Sequence, residues 1–286
     1  MPNAYVTLSA LKGTAALNFT GTAYDARLLT LVEAVSRQVD AYCGRHFYPL
    51  TETRNFDGPS PSGTRLPLPD FVALTAVTED TNSDGTFETT WTTSDYVAWP
   101  YNAAPTSEWG RGHMALLVNA KSNGSQDAWL TGQQMYQVAG TWGWRAFVVD
   151  TGERGSGTLS ATGTALTLTA SSTLSVGETV RVENEYLYVI GTGTAGTATG
   201  TGIVTVQRAV NGSTGTAHST GTVQSLVFPL EVREACLIQV ARLLKRRESG
   251  FATQIVFLET GAVATFSSEL DPDVKAMLAR YRRVAV

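Results

Sequence analysis

Charge is scarce in this chain of 286 residues. Asp, Glu, Lys and Arg make up 16% of it, against about a quarter of an average soluble domain. With a net charge of −4, the chain has no excess of cations with which to coat a nucleic acid by counterion release. Cysteine occurs twice, as Cys43 and Cys236. That is too few for a disulfide framework and predicts two buried thiols in a reducing cytoplasm, with one bridge between them as the alternative. His46, His113 and His218 lie far apart, and none has Cys, Asp or Glu nearby at metal-ligand spacing. No apolar run approaches the ~20 residues that span a bilayer, and the N-terminus lacks the basic and apolar regions of a secretory signal. A soluble protein made in the cytoplasm is expected, with no membrane contact. Neither a nucleophile elbow, a phosphate loop nor an H-E-x-x-H pair is present. The expectation is therefore no enzyme and no cofactor, with a non-local active site as the remaining route to catalysis.

What the chain does have is a strong helix signal from Asp25 to Pro49. Leu28, Val32, Val35, Val39 and Tyr42 recur at steps of four and three, which lays one apolar stripe along a helix. Asp25 reads as its N-cap. Glu33, Arg37 and Asp40 fall outside the stripe, where they are expected to face water. Gly44 suits a left-handed C′ position and Pro49 blocks a restart.

Residues 50–140 alternate like strands. Leu66-Pro67-Leu68-Pro69 reads as a Pro-punctuated edge, followed by an apolar run from Phe71 to Val77. Phe87–Thr93, Tyr96–Trp99, His113–Val118 and Met135–Ala139 complete a small sheet. From Gly155 to Ser225 the composition shifts to Thr, Gly, Ser and Ala, with short alternating runs separated by tight turns at Glu183-Asn184 and Asn211-Gly212. This predicts a compact β-domain. Pro229 then opens a helix on Val232, Cys236, Val240 and Leu243, and Asp271-Pro272 caps a last one carrying Val274, Met277, Leu278 and Tyr281. Residues 49–154 hold six basic and twelve acidic side chains, whereas 229–286 hold nine basic and seven acidic.

Three patterns bear on chemistry. Gly191-Thr-Gly193-Thr-Ala-Gly196 spells G-x-G-x-x-G, but a strand rather than a helix is expected next, so a hairpin loop is the reading. Asp80-x-Asn82-x-Asp84-Gly85 matches the first half of a calcium loop, with Glu88 at the ninth place and Trp91 where a bidentate carboxylate belongs. It is either a polar turn or a cation site. Trp99, Tyr101, Trp109, Trp142 and Trp144 are either core and subunit-interface anchors or a sugar-binding face.

Several segments together resemble the head–tail connector (adaptor) proteins of tailed bacteriophages. These are Tyr5-Val6-Thr7-Leu8, the run Asp25 to Arg37, Asp40-Ala41-Tyr42-Cys43-Gly44-Arg45-His46-Phe47-Tyr48-Pro49, and Thr53-Arg54-Asn55-Phe56-Asp57-Gly58. In that family a Gly-Thr-Trp-Gly-Trp segment leads almost directly into a helix. Here Thr141-Trp142-Gly143-Trp144 and Pro229 stand about eighty residues apart, so the β-domain resembles an insertion. Within it, the Glu-containing hairpin followed by Arg208, Asn211-Gly212 and His218 is similar to a small β-module of phage structural proteins, with Ala209 in place of the usual glycine.

The resemblance implies an α+β fold with a helical connector core, a β-sheet section and an inserted small β-domain. Its boundaries are residues 1–154, 155–225 for the insertion and 226–286 for the helices completing the core. It also implies a structural virion protein assembled in the host cytoplasm. Such a protein forms a homo-oligomeric, dodecameric ring in the neck, beneath the portal and above a stopper or tail-completion protein, and DNA passes through its lumen without specific binding. The aromatic set would serve the subunit interface. Val274, Lys275, Met277, Leu278, Arg280, Tyr281, Arg282 and Arg283 would meet the portal. The competing function is a β-rich carbohydrate-binding or adhesin module of the virion.

Overall fold

The computed structural model describes residues 2–14, 21–121, 124–155, 157–169, 174–192, 202–248, 254–256, 263–265 and 269–283. They form two compact units. One comprises Met1–Gly44, Asp150–Arg208 and Thr216–Val286, the other Arg45–Val149 and Ala209–Gly215. The expected helical core is overturned: the protein is mostly β, with two antiparallel sheets of six strands each. The reason lies in strand length. Alternating apolar residues that read as short separate runs join into long strands.

The Arg45–Val149 unit is built on β1 (Leu50–Gly58), β2 (Arg65–Glu79), β3 (Thr89–Trp91), β4 (Tyr96–Trp99), β5 (His113–Val118) and β6 (Gly132–Trp142). The sheet order is β1-β6-β2-β5-β4, and β3 adds to β2. The Pro67 stretch pairs on one side only, since pairing of β2 with β6 begins at Phe71. Pro67 faces Ala115 within the β2–β5 ladder, and the register shifts between Pro67 and Phe71. The prolines thus fall where β2 has a free side, and the strand becomes central only beyond them. Leu66, Leu68, Phe71, Trp129, Tyr136 and Trp142 form the centre of its core. Burying each such side chain is worth about 1.5–3 kcal/mol.

The motif residues of this unit hold it together. Arg54 lies over the Trp142 ring at 4.7 Å, and Phe56 packs on the same ring at 5.4 Å. A Cβ at Gly58 would sit 1.8 Å from the Leu130 carbonyl oxygen, so that position needs glycine. Arg45 pairs with buried Asp70 at 3.5 Å and covers Trp144.

The second sheet contains β7 (Val148–Arg154), β8 (Ala165–Leu168), β9 (Thr179–Val182), β10 (Glu185–Thr192), β11 (Gly202–Val210) and β12 (Thr222–Leu226), in the order β7-β12-β9-β10-β11-β8. Leu166, Leu168, Val180, Val182, Leu187, Val189, Val204, Val206 and Val223 share its core. Both predicted turns form. Glu183 takes φ 54° between β9 and β10, and Asn211 and Gly212 take φ 60° and 71° after β11. The G-x-G-x-x-G stretch from residue 193 onward lies outside the described residues; a strand, β11, follows it.

Among the described residues, four α-helices belong to the same unit: α1 (Leu8–Lys12), α2 (Asp25–Cys43), α3 (Leu230–Glu248) and α4 (Pro272–Leu278), the last extended by a 3-10 turn, Ala279–Tyr281. The sequence did not suggest the small antiparallel pair β13 (Gln254–Val256) and β14 (Val263–Thr265). In α2 the stripe Leu28, Val32, Val35 and Val39 is buried, joined by Ser36 and Cys43. Gly44 closes it in the left-handed conformation at φ 65°. The N-cap is Tyr24 rather than Asp25, and Asp25 instead pairs with Lys12.

Glu33, Arg37 and Asp40 do not stand free in water. Glu33 accepts the Tyr188 hydroxyl at 2.7 Å, while Arg37 donates to the Asn3 carbonyl and pairs with Asp40 at 2.9 Å. The helix is flanked by protein on its polar side too, because the N-terminal segment and β10 pack there.

Candidate functional site

The expected docking surface lies on the C-terminal helix, α4. Asp271 caps α4 by accepting from the Asp273 amide at 3.0 Å, and Pro272 sits in the first turn. Its apolar face is already occupied within its own unit. Val274 and Leu278 are fully buried, and Tyr281 nearly so. The Tyr281 hydroxyl donates to Glu231 at 2.8 Å, and Arg242 pairs with both Asp271 and Asp273. Of the residues expected to meet the portal, Lys275 and Met277 are half-buried, while Arg280, Arg282 and Arg283 are exposed. Arg280 pairs with Glu231 at 2.9 Å, Arg282 lies over the Tyr42 ring, and the Arg283 amide donates to the Cys43 carbonyl. What remains for a partner is a cationic rim, not an apolar stripe.

The five aromatics do not form one face. Trp142 is entirely buried in the sheet core. Trp99 and Trp144 are half-buried, each with a guanidinium at 4.7 Å over its ring, from Arg65 and Arg45 respectively. Only Tyr101 and Trp109 of the set are exposed, at 64% and 84%. Both lie on the loop between β4 and β5, which folds back on itself as the Arg111 amide donates to the Ala103 carbonyl at 2.8 Å. The buried Arg145 side chain donates to the Glu108 carbonyl, and the Ala146 amide to that of Pro105.

The acidic loop between β2 and β3 brings Asp80, Asp84 and Glu88 together, with one oxygen of each within 4.8 Å of the others. Asp80, buried, accepts the amides of Ser83, Asp84 and Gly85 at 2.6, 3.3 and 2.8 Å. Asn82 accepts the Asp84 amide, and Asp84 accepts the Thr86 amide and hydroxyl. Those two bonds from Thr86 hold the Asp84 carboxyl below its ordinary value. Glu88 is the fourth member, its carboxylate 2.8 Å from the same Thr86 hydroxyl, which it shares with Asp84. Trp91, at the twelfth place, stacks on Trp129 at 3.7 Å inside the core and donates to Glu79. Loop amides and hydroxyls thus donate to the carboxylates as in a polar turn, and a core tryptophan stands at the twelfth place.

One assembly joins residues that the sequence holds far apart. His218 places Nδ1 at 3.0 Å from Glu183 and Nε2 at 2.8 Å from Glu185. Arg208 grips the same Glu185 carboxylate and donates as well to the carbonyls of Ser160, Gly163 and Thr216. The β9–β10 turn puts Glu183 and Glu185 beside a histidine more than thirty residues on, which no local spacing reveals. The signal that could have found it was the Glu hairpin followed by Arg208 and His218. The geometry ties Thr216 and His218 to the β9–β10 hairpin and to Arg208. The other histidines are apart from it: His46 Nδ1 meets the Tyr48 carbonyl, and His113 Nδ1 that of Pro100.

Both cysteines are free and buried, and burial pushes the Cys236 thiol up to about 12, so it carries no nucleophilic thiolate at neutral pH. No helix among the described residues is long and apolar enough to cross a membrane. No protein-family model matches the chain, and no curated protein does so.

Proposed function

We propose that this chain is a structural virion protein, a head-to-tail adaptor that assembles as a homo-oligomeric ring under the portal and extends the DNA channel. The observation that carries the reading is spatial. The pieces of sequence that resemble connector proteins come from both ends of the chain, yet they meet. The Tyr5 amide donates to Ser36 at 3.0 Å, the Tyr5 ring packs on Phe228 at 4.6 Å, and Ser36 touches Cys236. The N-terminal segment around Tyr5, helix α2 and the returning helix α3 are thus one packed group, despite the β-rich sequence between them.

The ring would present the acidic 49–154 segment, with its excess of carboxylates, as a wall that repels rather than holds phosphates. The exposed Arg280, Arg282 and Arg283 would supply charge toward the portal, and a neck stopper or tail-completion protein would close the assembly below. Electron microscopy of the purified chain mixed with a portal ring from the same particle tests this. Rings of the chain stacked on the portal are expected. A chain that stays monomeric and fails to co-purify with the portal overturns the reading.

A further inference from the structure

The cavity beside the exposed tyrosine of the β1–β6 unit has the makings of a ligand site independent of ring assembly. Tyr101, 64% exposed, lines a cavity of about 370 Å³ together with Thr64, Leu117, Asn119, Gln126 and Asp127. That volume lies toward the small end of ligand pockets, which run about 300–1,000 Å³. Leu117 and Val118 contribute apolar wall, and the rest of the lining is largely polar. Among the described residues, the side chains of Thr64, Gln126 and Asp127 make no hydrogen bond or ion pair within the chain. This differs from the Asp80–Glu88 loop, whose carboxylates are taken by the loop itself.

We propose that this cavity binds a neutral saccharide, with the Tyr101 ring as the stacking face and Thr64, Gln126 and Asp127 as partners for hydroxyl groups. A pyranose has a face of C–H bonds, which suits the electron-rich face of an aromatic ring. Its edge carries hydroxyls, each both donor and acceptor. Asp127 can only accept, Gln126 offers a donor and an acceptor on one plane, and Thr64 offers both from one atom, so the three complement such an edge. Among the described residues no Lys or Arg lines the cavity, and the Asp127 carboxylate disfavours phosphates and acidic sugars. A purely aliphatic ligand would leave the amide and carboxylate unmatched on burial. The platform is also pre-formed. The Tyr101-containing loop is closed by the Arg111–Ala103 backbone bond and pinned by Arg145 and Ala146, which lowers the ordering cost of binding.

The test is an array of neutral glycans probed with the full chain, followed by titration of the best-bound oligosaccharide against variants. Binding of at least one neutral glycan is expected. Tyr101→Ala and Gln126→Ala should each weaken it by about tenfold or more, the equivalent of about 1.4 kcal/mol. Trp109→Ala, outside the cavity lining, should leave binding intact. Because Tyr101 is exposed, its variant should melt with the wild type. A silent array, binding that survives Tyr101→Ala, or a site that takes choline chloride but no glycan overturns the proposal.

Discussion

Arg208 and Glu185 meet through two parallel hydrogen bonds, 2.7 Å from Nε and 2.6 Å from Nη2, with the carboxylate fully out of solvent. The pair is desolvated, and its remaining polar atoms are matched by three backbone carbonyls, the Thr216 amide and His218. Breaking such a pair from one side strands a buried charge, which costs about 3–5 kcal/mol. Arg208→Met should therefore lower the unfolding free energy by that amount, read from the shift of the denaturant midpoint. The double variant Arg208→Met/Glu185→Met should recover much of the loss. Equal, additive losses would contradict an ion pair that acts as one element.

One residue further on, Ala209 holds φ 53°, a region where a Cβ is unfavourable by about 1–2 kcal/mol. The glycine usual in the resembling modules would adopt it without strain. Ala209→Gly should stabilise the protein by up to about 1 kcal/mol, since the strain relieved exceeds the added entropy of the unfolded glycine. A melting curve unchanged or lowered by the substitution counts against strain at this position.

Asp40 supplies a pH dependence. Burial pushes its carboxyl from 3.8 up to about 7, outweighing Arg37 and Tyr5, which act in the opposite direction. The folded protein therefore holds this proton more tightly than the unfolded chain does. Its contribution to stability is complete below about pH 4 and is lost as pH rises through about 7. Melting temperature should fall between pH 5 and pH 8.5, and Asp40→Asn should flatten that fall. An unchanged slope in the variant would assign the dependence elsewhere.

The last helix tests where its apolar stripe belongs. Leu278 is fully buried in the same unit that contains Glu231 and Tyr42. Leu278→Ala should cost about 2–5 kcal/mol in chemical denaturation, and removal of residues 271–286 should lower the melting temperature of the isolated chain. Arg282→Glu should leave stability almost unaltered while weakening association with the portal. A truncated chain that melts like the full one would restore the stripe to an external partner.

For the acidic loop, isothermal calorimetry with calcium should detect no submicromolar site, since the twelfth position is a core tryptophan. Asp80→Ala should instead destabilise the β2–β3 connection by about 1–3 kcal/mol, because three amides lose their acceptor. Tight calcium binding abolished by Asp84→Ala would reverse this assignment.

Local rules, read along the chain, determined a definite part of this protein. The spacing of Leu28, Val32, Val35 and Val39 demands a helix with one buried face, and Gly44 ends it because a left-handed residue there costs glycine little. Asn211-Gly212 turns the chain for the same reason. What tertiary structure alone decided is where those pieces find partners. Glu33, Arg37 and Asp40 look solvated by periodicity, yet Tyr188 lies 155 positions from Glu33 and covers that face. His218 looks isolated, yet a turn at Glu183 delivers two carboxylates to it. The balance of helix and sheet was likewise decided by the fold, because the runs interrupted at Pro67 and Pro69 join into the single strand β2, the prolines falling where it pairs on one side only. Periodicity reports the geometry of neighbours three or four residues apart. Burial of a polar group depends on side chains brought from a hundred residues away, and only the folded chain fixes those.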